Sequence, residues 1–158
     1  MTAGQIRKYL KRINDVLASS GAKGEMCLYG GAVMCLVYKA RPATKDVDAI
    51  FEPAKKIREA AKIVADENKL PEDWLNDAVK GFLSRHQKKV LFSWPNLTVH
   101  VPEPEYILAM KLLAVRVDTH DKQDIKALIR DIGIKSEEGV FRIMVLPERV
   151  WVTLRCSS

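Results

Sequence analysis

Residues 26–51 read MCLYGGAVMCLVYKARPATKDVDAIF and carry several structural signals in a row. A short apolar run, Met26–Tyr29, stops at two glycines, and residues compatible with a helix continue from Ala32 to Tyr38. This order predicts a strand, a glycine turn and a helix. The segment Arg41-Pro42-Ala43-Thr44 ends that helix, because proline restricts the residue before it and cannot continue a helix.

The segment after this break, residues 45–51, predicts a second strand. Successive strand residues point to opposite faces, so Asp46 and Asp48 are expected to project from the same face. Two such carboxylates can hold a hard divalent cation. The pair alone is a weak signal, because a chain with ten aspartates is expected to contain about half of one Asp-x-Asp pair by chance. It gains weight from the glycine turn upstream, because glycines let a backbone approach a phosphate closely at the positive end of a helix.

The rest of the chain predicts further helices and strands. Apolar residues recur at helical spacing from Ile6 to Leu17, which predicts an opening helix over 4–19. Other helices are predicted over 54–68, from 70, over 106–115 and over 122–131, and strands over 89–92 and 97–101. We therefore expect an α/β (α+β) fold, a short mixed sheet flanked by helices. All 158 residues are expected to form one domain, with its core at about 26–130 and a short C-terminal tail.

Composition limits the class of protein. Apolar residues make up 47% of the chain and charged residues 29%, which is a globular balance. No apolar run approaches the roughly 20 residues that a membrane helix needs. The cysteines, Cys27, Cys35 and Cys156, lack the spacing of metal ligands. These features predict a cytoplasmic protein with reduced thiols and no membrane partner.

The net charge of +6 suggests an anionic partner, either RNA or a phosphate-rich ligand. Basic residues cluster near positions 7–12, 55–62 and 85–89. Solvated helix faces explain each cluster equally well when it is taken alone.

The glycine pair, Arg41, Thr44 and the motif Asp46-Val47-Asp48 together resemble the signature of the DNA polymerase β-like nucleotidyltransferase superfamily. Within it, the chain looks most like small prokaryotic nucleotidyltransferase-like proteins of unassigned substrate, which are related to toxins of abortive-infection systems. Three further segments resemble elements of that group, namely residues 70–78 (LPEDWLNDA), 104–114 (PEYILAMKLLA) and 121–125 (DKQDI).

The resemblance implies roles for individual residues. Gly30 and Gly31 would contact a nucleoside triphosphate, and Asp46 and Asp48 would bind Mg²⁺ or Mn²⁺. The phosphate side of the cleft would be lined by Arg41, Thr44 and Lys45. In the later segments, Lys111 would neutralise phosphate charge, and Asp121 and Asp124 would orient Lys111 or Arg116 or act as a base.

Two features depart from the superfamily pattern. A third metal carboxylate is expected on a later strand, where this chain has His100. Arginine often precedes the first aspartate of the closing motif, where this chain has His120. The first departure places two-metal catalysis in question.

The resemblance implies transfer of a nucleoside monophosphate from a nucleoside triphosphate, with release of pyrophosphate. The acceptor could be an RNA end such as tRNA, a protein or a small molecule. One alternative is a catalytically degenerate protein that binds a nucleotide or a partner protein, as in a toxin–antitoxin pair. Another is plain RNA binding through the basic faces. Structural explanations also exist. Lys111 could reach the surface from an apolar helix, and Asp121 and Asp124 could cap or salt-bridge helices. Asp46 and Asp48 could be polar residues at a strand end in a simple surface cleft.

Overall fold

The structure is a computed structural model that describes residues 1–82, 85–113 and 119–145. The chain forms two compact units. The first comprises Met1–Phe82 and Lys88–Val101, and the second comprises the described residues of Leu83–Gln87 and Pro102–Ser158. Within these described ranges, six α-helices and one mixed sheet of five strands confirm the predicted α/β class.

The first unit contains three helices, a short 3-10 helix and the sheet, apart from the last residue of the fifth strand. Its helices are α1 (Ala3–Ser19), α2 (Gly30–Leu36) and α3 (Ala54–Asn68), and the 3-10 helix is Ala78–Phe82. Its strands are β1 (Gly24–Tyr29), β2 (Val47–Glu52), β3 (Leu75–Asn76), β4 (Lys88–Ser93) and β5 (Leu97–Pro102). The strand order is β3-β2-β1-β5-β4, with β1 antiparallel to β2 and parallel to β5, and β2 parallel to β3.

Strand β2 shows which face of the sheet is covered by helices. Val47, Ala49 and Phe51 are buried, whereas Asp48 and Ile50 are half-buried. Helix α3 packs against β2 and α1, and the two helices bury the apolar stripes that their sequences predict. Because side chains alternate along a strand, Asp48 projects from the face opposite this apolar layer.

The helix predicted to begin at Leu70 is wrong. The chain forms a turn after Pro71 and then the short strand β3, which pairs with β2. Trp74 provides the reason, because its side chain is 1% exposed and its Nε1 donates to the carbonyl of Ala61 at 3.0 Å. The Trp74 carbonyl also accepts a hydrogen bond of 2.7 Å from the amide of Val47. Core burial and strand pairing therefore override the local helical signal.

The second unit contains α4 (Pro104–Leu113), α5 (Thr119–Ile132) and α6 (Glu137–Val145). Helix α4 packs against both α5 and α6. Helices α4 and α5 correspond to predicted helices, whereas α6 lies in the segment expected to be only a tail. Every helix within the described part of the chain is too short or too polar to cross a bilayer.

Candidate active site

The two strands next to the glycine turn are neighbours in the sheet. They pair antiparallel, with Tyr29 opposite Asp48. Tyr29 ends β1 and Gly30 begins α2, so this register places Asp48 beside the turn. The expectation that the strand of Asp48 lies next to the strand ending at Gly30 is confirmed.

Gly30 brings the backbone against the carboxylate of Asp48. Its φ of +59° lies in the left-handed region, which side chains with a Cβ rarely adopt. A Cβ added at Gly30 would lie 2.8 Å from Oδ2 of Asp48, closer than real contacts allow. Both the conformation and the close carboxylate therefore favour glycine at this position.

Gly31 makes a second close approach, to the segment that precedes β2. A Cβ at Gly31 would overlap Oγ1 of Thr44 and would lie 3.4 Å from a terminal nitrogen of Arg41. The Thr44 hydroxyl donates to the carbonyl of Asp46 at 3.3 Å. Thr44, Arg41 and the glycine turn are thus brought together, and their contact with phosphates stays a prediction.

The other predicted residues of this segment are more open to solvent. Asp46 and Lys45 are exposed, and Asp46 directly precedes β2 instead of lying inside it. Thr44 is fixed through its backbone, since its amide donates to the carbonyl of Met1 at 2.9 Å. The first unit therefore carries one half-buried and one exposed carboxylate, two residues apart.

Lys111, Asp121 and Asp124 meet in the second unit. Nζ of Lys111 lies 3.0 Å from Oδ1 of Asp121 and 2.7 Å from Oδ2 of Asp124. The Asp124 side chain is fully buried, whereas those of Lys111 and Asp121 are 12% and 24% exposed. The predicted trio is therefore assembled, and its catalytic roles stay predictions. Arg116, the alternative partner, lies outside the described residues.

Comparison with known proteins identifies one matching family. The model of the family DUF6036, described as a nucleotidyltransferase of unknown function, matches residues 5–135. The chain belongs to this family. Neither the curated proteins nor the solved structures contain a significant match to it. Membership in DUF6036 supports the predicted superfamily at the level of nucleotidyltransferase, with substrate and acceptor unknown.

In this DUF6036 member, His100 occupies the position where the superfamily pattern has a third carboxylate. It lies in β5 opposite Cys27 of β1, and its Nδ1 is 3.3 Å from the carbonyl of Met26. This arrangement is that of a histidine hydrogen-bonded within the sheet. Among the described residues, no group of three or more histidine, cysteine or acidic side chains could hold a metal ion.

One neighbour of Asp48 in the sheet, Asn76, is not predicted by any local sequence pattern. Asn76 pairs with Asp48 in the parallel register of β2 and β3, so both project from the same face of the sheet. Its Oδ1 accepts a hydrogen bond of 3.2 Å from the amide of Ala78. The segment 70–78 resembles a family element, but a helix is predicted for it, and a helix does not pair Asn76 with Asp48.

The cysteines do not suggest a nucleophile. Cys27 and Cys35 are buried and form no disulfide. Burial raises the pKa of the Cys27 thiol, so the reactive thiolate is disfavoured. Cys156 and the side chain of His120 lie outside the described residues.

Proposed function

We propose that this protein transfers a nucleoside monophosphate from a nucleoside triphosphate to an acceptor group, releasing pyrophosphate. The observation that carries the proposal is the close approach of the Gly30 backbone to the Asp48 carboxylate. A glycine bend beside a half-buried carboxylate would allow main-chain atoms and a metal ligand to contact the same polyphosphate. Family membership supports the same class of reaction.

The donor set fits one divalent cation. Asp46 and Asp48 offer hard oxygen ligands two residues apart, and Mg²⁺ or Mn²⁺ needs only one or two carboxylates when substrate phosphates complete its coordination. When bound, the cation would neutralise phosphate charge and help to align the attacking and leaving oxygens. The described residues supply no third acidic ligand, which favours a single ion.

The neighbouring residues would bind the triphosphate. Gly30 and Gly31 allow the main chain to contact phosphate oxygens, and the guanidinium of Arg41 adds a cation beside the turn. Thr44 and Lys45 contribute a hydroxyl and an ammonium from the segment leading into β2. These groups position the phosphates, which is most of what the protein must do in nucleotidyl transfer.

The proposal gives Lys111 a role in neutralising phosphate charge. Its two aspartate partners hold the ammonium in place. Asp121, the more exposed of the two, could accept a proton from the acceptor. The acceptor would be an RNA end, a protein side chain or a small molecule, and the net charge of +6 favours RNA.

The test is transfer of label from each radiolabelled triphosphate to total tRNA, or to the protein itself, in the presence of magnesium. Asp48→Ala should reduce transfer by at least about a hundredfold, because it removes a direct metal ligand. Asp66→Ala, an exposed aspartate on α3, is the matched control and should leave transfer unchanged. Equal transfer by wild type and Asp48→Ala would contradict the proposal.

A second candidate is a degenerate relative that binds a nucleotide or a partner protein without turnover, for instance within a toxin–antitoxin pair. The specific support is the lack of a three-residue metal group among the described residues. Saturable triphosphate binding without any label transfer would favour this candidate. The enzymatic proposal predicts both binding and transfer.

A further inference from the structure

A basic cleft lies between α1 and the turn that follows β4 in the first unit. It has a volume of about 340 Å³ and is lined by Gly4, Arg7, Lys8, Lys11 and Trp94. We call it the α1–β4 cleft. Three of its five lining residues are cations and none is acidic, so the cleft offers a concentrated positive surface.

Aromatic side chains accompany these cations. Phe92 and Trp94 stack, with ring centroids 5.0 Å apart and planes inclined by 17°. The guanidinium of Arg7 lies 5.3 Å from the centroid of Phe92, and Nζ of Lys11 lies 6.0 Å from that of Trp94. Both rings are half-buried, so the stack is held in place and still reaches the surface.

The cations of the cleft are largely available to an anionic ligand. Lys11 forms an ion pair of 2.8 Å with Asp15, but both side chains are 47% exposed, and such pairs are weak. Over the described part of the chain, neither Arg7 nor Lys8 forms an ion pair within 4.0 Å. A phosphate group can therefore bind without first displacing a strong internal partner.

The helix that lines the cleft begins beside the segment that carries the candidate active site. Thr2, the residue before α1, forms a β-bridge with Ala43, and the Thr44 amide bonds to Met1. Nine residues separate Thr2 from Lys11, a rise of about 14 Å along the helix. The line of cations on α1 thus starts beside the segment that contacts Gly31.

We propose that the α1–β4 cleft binds single-stranded RNA, with Arg7, Lys8 and Lys11 contacting phosphates and Trp94 stacking against a base. Cations beside a half-buried tryptophan suit a flexible single strand, whose bases are free to stack. Because Phe92 stacks on Trp94 and Nζ of Lys11 lies 6.0 Å from its centroid, a base would stack on Trp94 in place of the lysine. A double helix hides its bases and would use the charges alone. The inference goes beyond the proposed function, because binding can be measured without nucleotide transfer.

The test is fluorescence anisotropy with a labelled single-stranded RNA of about ten nucleotides, compared with a duplex of the same length. The charge reversal Arg7→Glu/Lys8→Glu should weaken single-strand binding by about a hundredfold at low salt and flatten its salt dependence. Trp94→Leu should weaken single-strand binding by about tenfold and leave duplex binding unchanged.

Three controls isolate the cleft. The charge-conserving double variant Arg7→Lys/Lys8→Arg should bind RNA within about twofold of wild type, because phosphate contacts depend mainly on charge. Lys62→Glu, which reverses one exposed charge on α3, should also bind normally. Asp48→Ala should retain RNA binding even if it loses triphosphate binding, so the two proposals can fail separately. Unchanged RNA affinity in Arg7→Glu/Lys8→Glu, or equal affinity for single strand and duplex, would overturn the inference.

Discussion

Gly30 is a position where a single methyl group would disturb the candidate site. Gly30→Ala combines a left-handed backbone with a contact of 2.8 Å to the Asp48 carboxylate, so this carboxylate must move. We expect a loss of stability of about 1–2 kcal/mol from the backbone and a loss of at least about tenfold in triphosphate affinity. Thermal unfolding and a magnesium-dependent binding titration measure the two effects.

Gly21→Ala is the matched control for this substitution. Gly21 has a similar φ of +65°, but a Cβ there would meet nothing within 4 Å. Gly21→Ala should lose the same amount of stability from its left-handed backbone and should bind the triphosphate as tightly as wild type. If both alanine variants bound the triphosphate equally well, the contact between Gly30 and Asp48 would have no part in the site.

Lys111 forms an ion pair with the fully buried carboxylate of Asp124. Lys111→Met would leave Asp124 without its 2.7 Å partner and should cost about 3–5 kcal/mol of unfolding free energy. The double variant Lys111→Met/Asp124→Asn should be less destabilised than the sum of its single variants by about 1–3 kcal/mol. Urea unfolding of the four proteins measures this coupling, and strictly additive losses would contradict it.

The Cys27 thiol should resist modification in the folded protein. Burial is the main cause of its raised pKa. The thiol therefore stays protonated to a higher pH than an ordinary cysteine, whose pKa is 9.0. Brief treatment with iodoacetamide at pH 8 should leave Cys27 unlabelled until urea is added. Mass spectrometry of the peptide containing Cys27 measures this, and rapid labelling of the folded protein would disprove the prediction.

At the scale of elements, Trp74 joins β3 to α3. Trp74→Phe would remove the Nε1 hydrogen bond to the Ala61 carbonyl and open space beside Tyr9, whose ring lies 5.7 Å away. We expect a loss of about 1–3 kcal/mol in unfolding free energy. Trp94→Phe, at a half-buried position, should cost less than about 1 kcal/mol. The reverse order in urea unfolding would show that β3 is not anchored in this way.

Long periodic helices were the most predictable elements. The apolar residues of α1 and α3 recur every three or four positions, and the predicted boundaries 4–19 and 54–68 agree closely with the structure. The segment around Trp74 was mispredicted because its conformation depends on partners distant in the chain, Ala61 and Val47. Local sequence holds no information about those partners.

At the scale of the whole molecule, the sequence predicts the residues of the candidate site better than their surroundings. The glycine pair and Asp48 belong to one segment, so their proximity follows from a single antiparallel pairing. Asn76 joins that face only through the register of a two-residue strand, which no local pattern indicates. The ion pairs of Lys111 likewise depend on the packing of α4 against α5.

The central claim is that Asp48 and the Gly30 turn bind a metal–triphosphate complex. Calorimetric titration of a non-hydrolysable triphosphate into the protein, with Mn²⁺ and then with chelator, tests it most directly. Saturable binding that requires the metal and is lost in Asp48→Asn, but retained in Asp66→Asn, is the predicted result. Binding that is indifferent to metal and to Asp48→Asn, or no binding by the wild type, would contradict the claim.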